Sequence, residues 1–176
     1  MVFSITCAHC SHAVAAEVMA GGASARPPTS VLWLQCPNCG DGSVRTADGG
    51  VYPPAPAGGT VTGLPADVER AWREARTAHA VAAYTASEIM CRKILMHVAV
   101  DVAGSQPNKK FAEYINDLEA SGYITTGLKP TINSVRERGN TANHELPAST
   151  EQEALTTLTI TEYLLRGTYE LPGLVP

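Results

Sequence analysis

Aromatic side chains make up only 6% of this 176-residue chain and charged ones only 17%, and neither a basic surplus nor a long apolar run is present. Each shortage excludes something. With 13 Lys and Arg against 17 Asp and Glu, the net charge is −4. Gripping a duplex mainly through its phosphates calls for a cationic surplus, so duplex DNA is not expected as the main partner. No apolar stretch approaches the roughly 18 residues of a membrane span. The start, Met1-Val2-Phe3-Ser4-Ile5-Thr6-Cys7, lacks the basic and long apolar regions of a secretion signal. The expectation is a cytoplasmic protein with no membrane contact. At this length a folded chain buries roughly 70% of the surface its unfolded form exposes, so a core forms without disulfides and a disordered tail is excluded.

What is present divides near residue 64. Residues 1–63 hold nine of the fifteen glycines and six of the twelve prolines, with Arg26 and Arg45 against Glu17, Asp41 and Asp48. Residues 64–176 carry most of the apolar residues at helical spacing. Between them Val51-Tyr52-Pro53-Pro54-Ala55-Pro56-Ala57-Gly58-Gly59 mixes stiff and flexible segments that continue neither helix nor sheet. The division reads as a first domain at 1–50, a Pro/Gly linker at 51–63 and a helical domain at 64–176.

In the helical domain the spacing predicts five helices, with no convincing strand pair. The first, 65–79, has Pro65 in its first turn and Asp67 and Glu69 at the positive end of its dipole. The second, 81–103, is more apolar and should be the central one. The third, 108–121, ends at Gly122, with Lys109 and Lys110 expected as a solvated pair; the fourth covers 126–143. The last starts where Thr150 and Glu153 have the spacing that satisfies two free amides reciprocally, and runs to about Tyr169. Short connections between five helices predict a helical bundle.

Cys7-Ala8-His9-Cys10 and Cys36-Pro37-Asn38-Cys39-Gly40 form two C-x2-C pairs with twenty-five residues between them. Two thiolates from each tight turn complete the tetrahedral sulfur shell that zinc prefers, which predicts a four-cysteine zinc ribbon on Cys7, Cys10, Cys36 and Cys39, with 31–35 as a strand feeding the second turn. Disulfides or a redox C-x-x-C are the alternatives, and His9 or His12 could replace a thiolate. Four protein ligands leave no position for water, so zinc here is structural. The few cations favour protein contact over nucleic acid for this segment.

On the fourth helix Ile132, Val135, Gly139 and Ala142 share an arc of about 80°, which should face the core. Beside it lie Asn133, Arg136, Asn140 and His144. An arginine, two amides and an imidazole on one stripe can bind phosphate and catalyse its displacement, or simply tie the helix to its neighbours.

The segments Leu64–Val68, Tyr84–Leu95 and Arg136-Glu137-Arg138-Gly139-Asn140-Thr141-Ala142-Asn143-His144 resemble the prokaryotic domain of unknown function family 4145 over about 64–172. Arg92 before Ile94-Leu95 matches its long second helix. Arg136, Gly139, Asn140 and His144 match the end of its fourth, with Asn143 where alanine is usual. The family often follows a zinc ribbon and is grouped with HEPN-like helical domains, which dimerise and recur in toxin–antitoxin and phage-defence systems.

The resemblance implies a mostly α fold, namely a five-helix HEPN-like bundle with a small N-terminal zinc-ribbon β module. It also implies a homodimer formed through helices flanking Asn140 and His144, in bacterial or phage defence or counter-defence, binding protein or RNA. Active relatives cut RNA without metal through an R-x4-6-H motif shared across a dimer. Arg138 and His144 have the R-x5-H spacing, although Gly139 replaces the usual polar residue and Arg138 projects about 120° from His144. The alternative function is therefore a metal-independent ribonuclease using Arg136 or Arg138 with His144, with Asn133, Asn140 and Asn143 as binding residues.

Overall fold

Both C-x2-C segments close β-hairpins. In the computed structural model, which describes residues 1–23, 30–141 and 148–174, with side chains at 1–21, 31–137 and 148–174, β1 (Val2–Thr6) enters the first segment and β2 (Ala13–Ala23) leaves it. Likewise β3 (Ser30–Gln35) enters the second and β4 (Gly42–Arg45) leaves it, followed by β5 (Val51–Tyr52). The strands form one antiparallel sheet in the order β1-β2-β3-β4-β5. Thr6 pairs with Ala13, Gln35 with Gly42, and Glu17 with Gln35, so both cysteine turns lie at the same end of the sheet.

Alternation gives this sheet two unlike faces. Ala16, Leu34 and Ser43 are buried on one, where Val18 pairs with Leu34 and Leu34 with Ser43, and Arg45 stacks its guanidinium 4.7 Å over the Phe3 ring. The other face carries Trp33, Val44 and Tyr52 side by side on three successive strands. A register shift between Val18 and Ala20 adds one residue to β2 at Met19, which is exposed.

The expectation of a mostly α protein with a small β appendage is thereby corrected. Helix still predominates, but among the described residues the strands make a curled five-stranded antiparallel sheet, larger than the small module expected. The missed strand pairs have a physical reason: β2 reads Ala-Val-Ala-Ala-Glu-Val-Met-Ala-Gly-Gly-Ala, and alanine and glycine have little intrinsic preference for a sheet. Ser30–Gln35 and Val2–Thr6, rich in branched and aromatic residues, do carry a strand signal.

The chain forms two compact units, Met1–Ala57 and Gly58–Pro176. In the second, the helices are α1 (Ala66–Ala80), α2 (Tyr84–Ala103), α3 (Phe111–Ala120), α4 (Lys129–Thr141, after a 3-10 turn at Thr126–Leu128) and α5 (Glu151–Leu165), which continues as a π-turn over Arg166–Glu170. The second helix starts at Tyr84 rather than 81 because Ala82 takes a left-handed conformation, φ 62°, that breaks the run.

As its composition predicts, α2 is central: it packs against α1, α3 and α5, burying Cys91, Ile94, Leu95 and Val98. Opposite them lie Trp72 of α1, Leu118 of α3, and Leu158, Leu164 and Leu165 of α5. Among the described side chains of α4, Ile132 and Val135 are buried. Thr150 caps α5 reciprocally, its hydroxyl accepting from the Glu153 amide at 3.3 Å while the Glu153 carboxylate accepts from the Thr150 amide at 2.8 Å.

Three groups of polar contacts were not legible in advance. Glu88, buried in the apolar helix, accepts from the hydroxyls of Ser149 at 2.6 Å and Thr157 at 3.2 Å, which fastens α2 to the start of α5. Lys109 is not solvated but paired with Asp117 at 2.6 Å. Residues 58–62 are bound into the helical unit: Gly58 O accepts from Arg76, Gly59 O from the Trp72 indole and Thr60 O from Arg166, while the Gly59 and Thr62 amides donate to Glu162 and Glu170.

Candidate metal centre

The two cysteine turns share one backbone design. The Cys7 amide donates to His12 O and the Ser11 amide to Cys7 O; at the second turn the Cys36 amide donates to Asp41 O and the Gly40 amide to Cys36 O, all at 2.9 Å. The fifth residue of each turn is left-handed, with φ 59° at Ser11 and 79° at Gly40. Gly40 suits that conformation without a Cβ penalty; Ser11 adopts it because the first turn has the same shape to make. These bonds aim both sulfurs of each turn toward the other turn.

The four sulfurs lie within 4.8 Å of one another, with Cys7 to Cys39 and Cys10 to Cys36 each at 3.8 Å. All four are free thiols, far beyond the roughly 2.05 Å of a disulfide. A tetrahedron of thiolates about 2.3 Å from a central ion has edges of about 3.8 Å. The shell therefore fits a metal ion. Among the described residues it is also the one cluster of His, Cys, Asp and Glu that comes together at ligand spacing.

The electrostatics of the shell point the same way. The Asn38 side-chain amide and the His12 backbone amide favour the thiolate of Cys10 and lower it to about 6. Burial raises Cys7. At Cys39 the Asp41 amide favours ionisation, but desolvation and the sulfurs of Cys36 and Cys7 oppose it and push it up to about 12. One thiolate is stabilised, while Cys7 and Cys39 resist ionisation until a cation joins them.

The histidines sit outside the shell. His9 Nε2 is 3.1 Å from Gly42 O, linking the first turn to the start of β4, and His12 Nδ1 is 2.8 Å from Cys10 O. With four cysteines closing the shell His12 is expected beside it, as found; the role of Asn38 is the part of this site that spacing alone missed. The one available signal was that it follows a cysteine by two residues.

The polar stripe of α4 is described in part. Arg136 is half-buried and donates from Nη1 to Asn116 Oδ1 of α3 at 3.4 Å, while Asn133 is exposed. The side chains of Arg138 and Asn140, and the residues Asn143 and His144, lie outside the described residues.

Four free cysteines at ligand spacing in a sheet unit, and a second unit whose described elements are all helical, define a two-unit protein with a site that could hold a metal ion. The chain belongs to the family described as Domain of unknown function (DUF4145), whose model matches residues 73–175. No curated protein and no solved structure matches the chain. No helix among the described residues is long and apolar enough to cross a membrane.

Proposed function

We propose that this protein is a zinc-braced interaction module that engages a protein partner, and that its zinc is structural. The observation that carries the reading is the closed shell of four cysteines. Soft thiolates at tetrahedral spacing select zinc among the common cellular ions, and a shell completed by protein offers no site for substrate or water. The reduced thiols agree with a cytoplasmic location. Kinship of the helical unit with HEPN-like domains, and a setting in bacterial or phage defence or counter-defence, belong to the same proposal and rest on the family resemblance.

The contact surface proposed for the sheet unit is its outer aromatic strip. Trp33 and Tyr52 are 58% and 59% exposed and flank Val44 across neighbouring strands. Large amphipathic rings at that exposure supply the anchors of protein interfaces. The charges of this segment, two arginines against three acids, disfavour the phosphate backbone of RNA.

The test uses the full chain. Elemental analysis should find one zinc per chain and no iron. Incubation with single-stranded RNA should give no cleavage, and His144→Ala should be indistinguishable from wild type. Iron in the shell overturns the metal assignment, and RNA cleavage that disappears in His144→Ala overturns the non-enzymatic reading.

A further inference from the structure

Helix α2 carries apolar residues on every side, and on one side some of them are open to solvent beside Lys93, His97 and Asp101. Opposite the buried face, Ala86, Ile89, Lys93, Met96 and Val100 recur at intervals of 3, 4, 3 and 4 residues. Ile89 is 53% and Val100 42% exposed, Ala86 and Lys93 are exposed, and Met96 is half-buried. A 3-4-3-4 repeat is the spacing by which one helix seats along another.

Beside this seam runs a groove of about 280 Å³ between α1 and α2, floored by Val68, Ala71 and Met90. Its α1 rim carries Asp67, Arg70 and Glu74, and its α2 rim Lys93 and His97. Among the described residues, Arg70, Glu74 and Lys93 have no ion-pair partner. The face thus combines an apolar strip with charges of both signs. A polyanion would meet Asp67 and Glu74, and a strongly cationic partner would meet Arg70 and Lys93.

We propose that this face binds a second copy of the chain, α2 against α2 in an antiparallel two-fold pair. A two-fold contact requires a self-complementary surface, and this one is self-complementary in register as well as in charge. With the axis between Ile94 and Leu95, Ile89 of each copy lies opposite Val100 of the other, Lys93 opposite Met96, and Ala86 opposite Ala103. Lys93 then extends past Met96 of the other copy toward the rim holding Asp67. The seam's single cation thereby finds an opposite charge and sets the register. At 20 residues α2 is about 30 Å long, enough for the whole repeat to engage. The contact lies on α2 rather than beside Asn140 and His144, and it is independent of the metal reading.

Light scattering on the full zinc-loaded chain tests this over a concentration series. Wild type is expected to be a dimer. Ile89→Glu alone and Val100→Lys alone should each raise the dimer dissociation constant at least about a hundredfold, because every dimer carries the substitution twice. Unchanged thermal melts would show that these exposed positions leave the fold intact. In the double variant Ile89→Glu/Val100→Lys each glutamate faces a lysine of the other copy, so the dimer should return. A monomeric wild type, single variants that keep the wild-type mass, or a double variant that stays monomeric would each overturn the proposal.

Discussion

Stripping the metal should unfold one unit of this protein and spare the other. Among the described residues, Met1–Ala57 has Leu34 as its one large buried aliphatic residue, supported by Ala16 and by Cys7 and Cys36 themselves. Burying one leucine contributes about 1.5–3 kcal/mol, whereas ordering the backbone costs about 1–2 kcal/mol for each residue. Structural zinc supplies on the order of 10 kcal/mol, comparable with the whole stability of a typical domain. Gly58–Pro176, by contrast, buries Leu95, Leu118, Leu158, Leu164 and Leu165 completely or nearly so. Amide hydrogen exchange, with and without a strong chelator, separates the two. Protection at the Val18, Cys36 and Gly40 amides should collapse on chelation, while that of Leu95 and Val98 in α2 stays unchanged. Sheet amides that remain protected in metal-free protein would refute the argument, since the sheet would then have a source of stability other than its thiolate shell.

Two further outcomes concern the helical unit. Gly58 has φ 72°, and a Cβ there would lie 2.9 Å from the Leu158 side chain and 2.8 Å from the Glu162 carboxylate. Gly58→Ala should cost about 1–3 kcal/mol, measured by urea denaturation, while Gly167→Ala, where a Cβ meets nothing within 4 Å, should cost nothing. The Asp117 carboxyl is held below its ordinary value of 3.8 by the Lys109 ammonium and the Ser105 hydroxyl. A depressed folded value means stabilisation that is present above the unfolded value and lost as pH falls through the folded one. The gap in urea midpoint between wild type and Asp117→Asn should therefore close between about pH 5 and pH 2, and a gap that persists would contradict the ion pair.

Much of the local structure was legible because its causes are local. The Thr150–Glu153 cap, the continuous apolar pattern of α2 and the left-handed Gly122 are decided within a few residues, and the helices begin or end where those signals stand. The metal ligands were legible for a similar reason, since a C-x2-C pair holds the geometry of its own turn and needs only a second pair to face it. Arg92 shows the limit. The sequence marks it as a family feature, but its place 4.6 Å over the Phe111 ring depends on a helix nineteen positions away.

By itself, then, the sequence determined the five helices, the four thiols and the family, because each rests on spacing or composition within a short stretch. Tertiary structure decided that the alanine- and glycine-rich segment after Cys10 is the longest strand, second in order, of a five-stranded sheet, since hairpin pairing around the cysteine turns outweighs weak strand preference. It also brought Glu88 to Ser149 and Thr157, and bound residues 58–62 to Arg76, Trp72 and Arg166. Only the packed fold shows which side of α2 remains open, because periodicity cannot distinguish a covered apolar face from an open one when apolar residues occur on every side of the helix.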